Sequence, residues 1–157
     1  MNFRNLYDFL RDLNEPDHNN KSWMDANRDR YESVRDDFAE YLSDLNEKLK
    51  KVDPDYIDTP GKKAIHRINN NKMYHPERPT YKNRFGASMD RDKGKSDFYI
   101  HLGLDESFIA CGYYHPDNEV LNKIRQEIDY NQEEFIDIVE DSRFCKLTDG
   151  LITDDAL

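Results

Sequence analysis

Helical periodicity dominates the first third of the chain. Phe3, Leu6, Leu10 and Leu13 lie three or four residues apart, which predicts a short amphipathic helix within residues 1–13. A second apolar stripe keeps a helical spacing and predicts one long helix over residues 21–51. The stripe consists of Tyr31, Val34, Phe38, Tyr41, Leu45, Leu49 and Val52. We interpret it as a core-facing stripe; the alternative is a coiled coil in which two copies pair.

The middle of the chain changes to the pattern of strands. Residues 64–114 are predicted to hold several strands and one basic loop. The individual strand predictions are 64–68, 84–89, 97–102 and 107–114, with a hairpin loop at 103–106. Helical spacing returns in residues 117–140, where two helices are predicted, and the acidic tail 148–157 is expected to be loosely held.

This order of elements predicts an α+β fold. Helices and strands are segregated along the chain, so we expect the long N-terminal helix and the C-terminal helices to pack on a mainly antiparallel sheet. A length of 157 residues is enough for one domain with its own core, so a single domain over residues 1–157 is predicted.

Composition narrows the class of protein. The net charge of −10 argues against general nucleic-acid binding and against binding to an anionic membrane surface. No apolar stretch is long enough for a transmembrane helix, and the first residues lack the apolar core of a signal peptide. Cys111 and Cys145 stand alone among apolar neighbours, which predicts buried free thiols in a cytoplasmic protein.

The charge is unevenly distributed. The basic segment, residues 61–95, carries ten Lys and Arg against three acids, a local charge of +7, so the rest of the chain carries −17. The candidate anion-binding site consists of Arg67, Tyr81, Lys82 and Arg84. Side chains of Arg, Lys and Tyr donate hydrogen bonds to phosphates and carboxylates. The alternative is that these cations pair with the chain's own acidic helices.

Histidines accompany the basic segment. Four of the five lie between residues 66 and 115, but their spacing matches no metal-binding motif, so neither a metal site nor a cofactor is predicted. In a second hypothesis the protein is a hydrolase or transferase acting on a phosphorylated or nucleotide substrate. There His66 or His101 would be the acid/base, and Lys82 or Arg67 would hold the phosphate. A third hypothesis is an interaction module, including a homodimer, that pairs through the long helix.

Several segments resemble an uncharacterised family, domain of unknown function 2461. Residues 19–31 (NNKSWMDANRDRY) resemble its opening pattern NNR-W-F-x-x-N-R-x-x-Y. Residues 67–87 resemble RI-x-R-D-x-R-F-S-x-x-K-x-P-Y-K-T-x-F-G, most specifically at Tyr81-Lys82 and Phe85-Gly86. Residues 99–116 are similar to its following hairpin. The resemblance covers about residues 6–147 and implies a shared fold and site location, without a known activity.

The chain departs from the family pattern inside the basic segment. Where the family has Arg-Asp-x-Arg-Phe, this chain has Asn70-Asn71-Lys72-Met73-Tyr74, so two arginines and an aspartate are replaced. The resemblance therefore implies a divergent member with an altered site. It also implies one that is short at its C-terminal end, because the family pattern continues past the position of Leu157.

Overall fold

The chain forms two compact units. A computed structural model describes residues 1–90 and 97–148, and its contacts divide the chain into Met1–Tyr113 and Tyr114–Leu157. The single domain predicted for residues 1–157 therefore stays a prediction. Three cations of the basic segment, Arg91, Lys93 and Lys95, lie outside the described residues, as does the predicted tail beyond Thr148.

Helix α1 spans Phe3–Leu13, the range of the predicted first helix. It begins where the Asn2 side chain accepts a hydrogen bond from the backbone N–H of Asn5, which satisfies one of the unpaired donors at a helix start. Four apolar residues of α1 are fully buried, namely Leu6, Phe9, Leu10 and Leu13. This helix therefore contributes a full apolar face to the core.

The predicted long helix over residues 21–51 is two helices, which corrects the sequence interpretation. Helix α2 spans Lys21–Ala26 and α3 spans Arg28–Val52, with Asn27 between them. The Asn27 side chain donates to the carbonyl oxygen of Trp23 at 2.9 Å, and its backbone at φ −111° and ψ 22° leaves the helical region. The break arises because asparagine competes for backbone hydrogen-bonding groups, a preference that apolar periodicity does not register.

The stripe on α3 packs into the core of its own unit, as the core-facing interpretation predicts. Val34, Phe38 and Leu42 are buried, and Tyr31, Tyr41, Leu45 and Leu49 pack partly buried against them. Pairing between two copies through this helix stays a prediction.

The sheet has three antiparallel strands in the order β1-β2-β3. They span Arg84–Met89, Asp97–Gly103 and Ser107–Gly112. Together with the helices, this sheet confirms the α+β class. Phe85, Ala87, Met89 and Ile100 belong to the core cluster on one face of the sheet. Strand alternation places Arg84, Ser88, Tyr99 and His101 on the other face.

The strand predicted at residues 64–68 does not form, which corrects the sequence interpretation. Gly61–Ala64 forms a short helix, α4, and only Ile65 makes an isolated bridge, to Ala87 of β1. The physical reason is the close approach of α4 to α3: a Cβ atom on Gly61 would overlap the carbonyl oxygen of Ala39. Tertiary packing against α3 thus decides the local conformation over strand propensity.

The described part of the second unit contains helices α5, Asn118–Tyr130, α6, Gln132–Glu140, and α7, Ser142–Thr148. Asp117 caps α5 by accepting from the backbone N–H of Val120 at 2.9 Å. Helix α7 was not predicted.

Two further observations concern the chain as a whole. The cysteine prediction was wrong in one respect, since Cys111 and Cys145 are free thiols as expected but both are exposed. No helix among the described residues is both long and apolar enough to cross a membrane.

Candidate functional site

The centre of the basic segment folds into an irregular hairpin, residues 68–82. Its two arms are joined by two backbone hydrogen bonds. The N–H of Lys82 donates to the carbonyl oxygen of Ile68 at 2.8 Å and the N–H of Asn70 donates to the carbonyl oxygen of Thr80 at 3.0 Å, which pairs Asn69 with Tyr81 in a bridge. We call this element the 68–82 hairpin. It closes a loop that the sequence pattern showed only as turn-forming residues.

Side chains hold the loop of the hairpin in place. The Lys72 ammonium group donates to the carbonyl oxygens of Pro76 and Arg78, and the Asn70 amide donates to the carbonyl oxygen of Pro79 at 2.9 Å. Lys72 is therefore a structural cation, because its donors are used within the loop. An ordered loop at this position can present side chains in a fixed arrangement.

Asn19 anchors the second arm of the hairpin. Its side-chain oxygen accepts from the backbone N–H of Tyr81 at 2.7 Å, and its amide donates to the carbonyl oxygen of Tyr81 at 3.1 Å. One asparagine side chain thus satisfies both backbone groups of one residue. This contact joins two segments that carry the family resemblance, around residues 19 and 81.

An open pocket of about 390 Å³ lies against this hairpin. Three cations, two histidines and three asparagines line it, and no carboxylate of residues 1–90 or 97–148 does. The lining residues are His66, Arg67, Asn69, Asn70, Asn71, His75, Arg78 and Lys82. We call this site the basic pocket. Because cationic and amide donors surround it, its electrostatic character favours an anion.

Two of the four predicted anion-binding residues meet in the basic pocket. Arg67 and Lys82 line it together, and the Lys82 ammonium group donates to the carbonyl oxygen of Arg67 at 2.6 Å. Tyr81 is only 5% exposed and packs in the core, and Arg84 lies at the start of β1 without lining the pocket. Neighbouring residues of an extended segment point to opposite sides, so Lys82 faces the pocket while Tyr81 faces the core.

The surroundings of Lys82 disfavour its charged form. Its partial burial, and next the charges of Arg84 and Arg67, lower the pKa of Lys82 below the ordinary value of 10.5. No carboxylate of the described residues lies within salt-bridge distance of Arg67 or Lys82, whereas Lys62 of the same segment lies 3.5 Å from Asp36. The repulsion around Lys82 is thus not neutralised within the described part of the chain.

Glu77 lies next to two residues of the pocket lining. The Glu77 carboxylate lies 3.6 Å from the His75 ring and 3.9 Å from the Arg78 guanidinium group. Both side chains of the Arg78–Glu77 pair are more than half exposed, so this pair is weak and screened by solvent. Arg78 therefore keeps most of its hydrogen-bonding capacity for a ligand.

The two candidate acid/base histidines lie in different surroundings. His66 lines the pocket, and its Nε2 is 2.9 Å from the hydroxyl of Ser88 on β1. His101 is 8% exposed, stacks on Phe108 with ring centroids 4.6 Å apart, and does not line the pocket. Burial, and next the charge of Arg84, lower the pKa of His101 below 6.5, against the opposing charge of Glu106.

Tyr99 lies between the two histidines. Its ring centroid is 5.6 Å from that of His66 and 5.9 Å from that of His101, and its hydroxyl is 3.2 Å from Nδ1 of His101. These three rings cover the sheet face opposite the core. Of the two predicted acid/base candidates, His66 lines the pocket with Arg67 and Lys82, whereas His101 does not.

Sequence reasoning missed five pocket residues, which were interpreted as turn or irregular structure. They are Asn69, Asn70, Asn71, His75 and Arg78. The available signal was the density of donors in the stretch from residue 69 to residue 84; what was missing was the closure of the hairpin. Across residues 1–90 and 97–148, no three His, Cys, Asp or Glu side chains converge as metal ligands would.

Comparison with curated proteins and with solved structures gives no significant match. A family profile, by contrast, matches residues 5–157, essentially the whole chain, under the description "Conserved hypothetical protein (DUF2461)". The basic pocket lies within the matched region. On the strength of this match, the chain belongs to the DUF2461 family of conserved hypothetical proteins.

Proposed function

We propose that this protein binds a small anion of the phosphate class in the basic pocket. The observation that carries the proposal is the convergence of Arg67, Arg78 and Lys82 on one pocket that no carboxylate of the described part of the chain lines. Guanidinium groups bind tetrahedral and planar anions through paired donors, and an ammonium group adds a point charge. The net charge of −10 favours a small ligand over a nucleic acid.

The alternative of structural pairing explains other cations of the basic segment. Lys62 pairs with Asp36, and Lys72 holds the loop of the hairpin through backbone carbonyls. Lys82 uses one donor on the carbonyl oxygen of Arg67 and retains others, because an ammonium group has three. A bound anion would relieve the repulsion that lowers the pKa of Lys82. These contacts support a binding role for the pocket cations rather than an architectural one.

The test is a calorimetric titration with inorganic phosphate at low ionic strength. Arg67→Gln, Arg78→Gln and Lys82→Gln should each weaken phosphate binding about tenfold or more, since a charge-assisted hydrogen bond contributes about 1.5–3 kcal/mol. The log of the affinity should also fall as salt is raised, because the contacts are electrostatic.

A matched control removes equal charge elsewhere. Lys21, Lys48 and Lys51 are exposed, and a triple Gln variant at these positions changes the net charge as much as the three pocket substitutions combined. We expect this control to keep the wild-type affinity within about twofold, because its charges lie outside the pocket and are screened. An equal loss in both sets would show non-specific attraction and contradict the proposal.

A second candidate function is hydrolysis or transfer of a phosphoryl group, with His66 as the acid/base. The observation that favours it is that His66 lines the same pocket as Arg67 and Lys82. In hydrolysis, water would add to phosphorus while the P–O ester bond breaks, and the departing alcohol oxygen would take a proton from protonated His66. The proton that the added water loses would pass to the solvent, from which His66 is protonated again. Turnover of an aryl phosphate that His66→Gln abolishes would support this candidate, and its absence in the wild-type protein would exclude it for that substrate.

We also propose a cytoplasmic location. Its support is that Cys111 and Cys145 are both exposed free thiols, which persist best in a reducing compartment. Labelling with a thiol reagent in intact cells and in lysates would test the redox state of both residues.

A further inference from the structure

We propose that the anion bound by the basic pocket is a phosphorylated polyhydroxyl compound, such as a sugar phosphate. This inference rests on the proposed function and names the substrate class of the same site. It follows from the size of the pocket and from the three consecutive asparagines on its wall.

The pocket is larger than the anion requires. Its volume of about 390 Å³ falls within the range of about 300–1,000 Å³ that is usual for organic ligands. A bare phosphate would occupy only a small part of this space. The remainder must accommodate the organic part of the ligand, and the side chains that surround it determine which chemistry fits.

Asparagines supply the acceptors that the cations lack. Arginine and lysine only donate hydrogen bonds, whereas each asparagine has both a carbonyl acceptor and an amide donor. Asn70 uses its amide on the carbonyl of Pro79, which leaves its side-chain oxygen to accept. Asn71 uses its oxygen for the backbone N–H of Met73 at 3.3 Å, which leaves its amide to donate.

Asn69 contributes both kinds of group. It is exposed, and its side chain has no hydrogen bond to any residue within the described ranges. The pocket wall therefore offers acceptors and donors side by side, next to the cations. A hydroxyl group both donates and accepts, so adjacent hydroxyls on one carbon skeleton match this wall. A purely anionic ligand would leave the acceptors unused.

The lining argues against an aromatic base as the organic part. No Phe, Tyr or Trp is among the eight lining residues, and proteins that bind bases commonly stack them on such rings. An alkyl chain is equally unsuited, because every lining side chain is polar and an apolar group would gain little from burial there. Polyhydroxyl chemistry satisfies both constraints.

The experiment compares four probes by calorimetry under one buffer and salt condition: ribose 5-phosphate, n-pentyl phosphate, inorganic phosphate and adenosine monophosphate. Ribose 5-phosphate and n-pentyl phosphate have the same charge and carbon number, but only the first has hydroxyls. We expect ribose 5-phosphate to bind about tenfold more tightly than n-pentyl phosphate. Adenosine monophosphate serves as a fourth probe and should bind no more tightly than ribose 5-phosphate.

Substitutions of two asparagines test which side chains contact the hydroxyl groups of ribose 5-phosphate. Asn69→Ala and Asn71→Ala should each weaken the binding of ribose 5-phosphate more than that of n-pentyl phosphate or inorganic phosphate, and so remove most of the advantage of ribose 5-phosphate. Both residues are exposed, and Asn122→Ala is an exposed asparagine control in the other unit. A variant pattern in which phosphate affinity falls as much as sugar phosphate affinity would overturn the assignment of the hydroxyl contacts to these residues.

The outcomes separate this inference from the proposed function. Equal affinities for ribose 5-phosphate and n-pentyl phosphate, or tighter binding of adenosine monophosphate, would overturn the polyhydroxyl assignment while phosphate binding stands. Failure of all four probes to bind would refute the anion pocket itself, and this inference with it.

Discussion

Asn19 binds both backbone groups of Tyr81, accepting from its N–H at 2.7 Å and donating to its carbonyl oxygen at 3.1 Å. The two residues are 62 positions apart in sequence. Tyr81 in turn bridges Asn69 and directly precedes Lys82, so this contact fixes the arm of the hairpin that carries a pocket cation. The family-like segment around residue 19 thus supports the pocket without touching a ligand there.

Asn19→Ala should destabilise the protein and loosen the hairpin. Both backbone groups of Tyr81 would lose their partner, which costs about 1–3 kcal/mol in unfolding free energy when such groups are buried. Urea unfolding measures this loss, and hydrogen exchange at the Tyr81 and Lys82 amides should quicken selectively. Asn122→Ala is the matched control. Unchanged exchange at Tyr81 in Asn19→Ala would show that the anchor is dispensable.

As pH rises, anion binding should weaken at a lower pH than it would if Lys82 had the ordinary pKa of a lysine. Only protonated Lys82 attracts an anion, and its pKa lies below 10.5 because of burial and the neighbouring arginines. Sulfate is the suitable probe, because its own charge is constant between pH 7 and 10.5. Its dissociation constant should rise as pH passes through the lowered pKa of Lys82.

Lys82→Arg provides the control for this pH dependence. Arginine stays charged throughout the range, so the variant should bind sulfate with a flat profile. A profile in Lys82→Arg that matches the wild-type protein would assign the titration to another group.

Asn46 should be among the most sensitive positions for stability. It is 4% exposed, donates to Asp58 at 2.6 Å, and accepts from the Tyr56 hydroxyl and the Thr59 backbone N–H, each at 2.9 Å. Asn46→Ala leaves these partners unsatisfied and should lower the unfolding free energy by about 2 kcal/mol or more. For a chain of this size, the expected drop in melting temperature is about 4–8 °C.

Calorimetric melting of Asn46→Ala beside Asn122→Ala measures that loss. A melting temperature within the scatter of the wild-type value would mean that solvent replaces the lost partners. The outcome therefore shows whether the hydrogen bonds of Asn46 stabilise the segment after α3.

His101 should make the protein less stable as pH falls. Its pKa in the folded state is lowered below 6.5, chiefly by burial, so the unfolded chain takes up the proton first. The stabilising contribution is present above about pH 6.5, and it is lost as pH falls from there through the folded-state pKa. His101→Gln cannot titrate, so its unfolding free energy should fall less steeply in this window.

Urea unfolding between pH 7.5 and 4.5 gives the comparison. Within residues 1–90 and 97–148, the groups that act on His101 are Tyr99, Phe108, Arg84 and Glu106, and the charge of Glu106 favours the protonated form. A wild-type protein that gains stability relative to His101→Gln on acidification would reverse the sign and contradict the burial argument.

Local sequence patterns correctly predicted the elements whose conformation depends little on contacts with other parts of the fold. The apolar spacing of α1 and the alternation in β1 and β2 identify these elements, because each has one face that must be buried. The same patterns failed at Asn27 and at residues 64–68. There a side-chain hydrogen bond to the backbone and the packing of Gly61 against Ala39 outweigh periodicity.

The sequence alone determined the α+β class, through the order of its elements, and the family, through the motifs that carry the resemblance. It also predicted, from the basic segment, the stretch of chain in which a site should lie. Only the tertiary structure decided which donors meet. Arg67 and Lys82 are 15 residues apart, and closure of the 68–82 hairpin joins them in one pocket with Asn69, Asn70 and Asn71. Tyr81 faces the core while Lys82 faces the pocket, because adjacent side chains of an extended segment point to opposite sides.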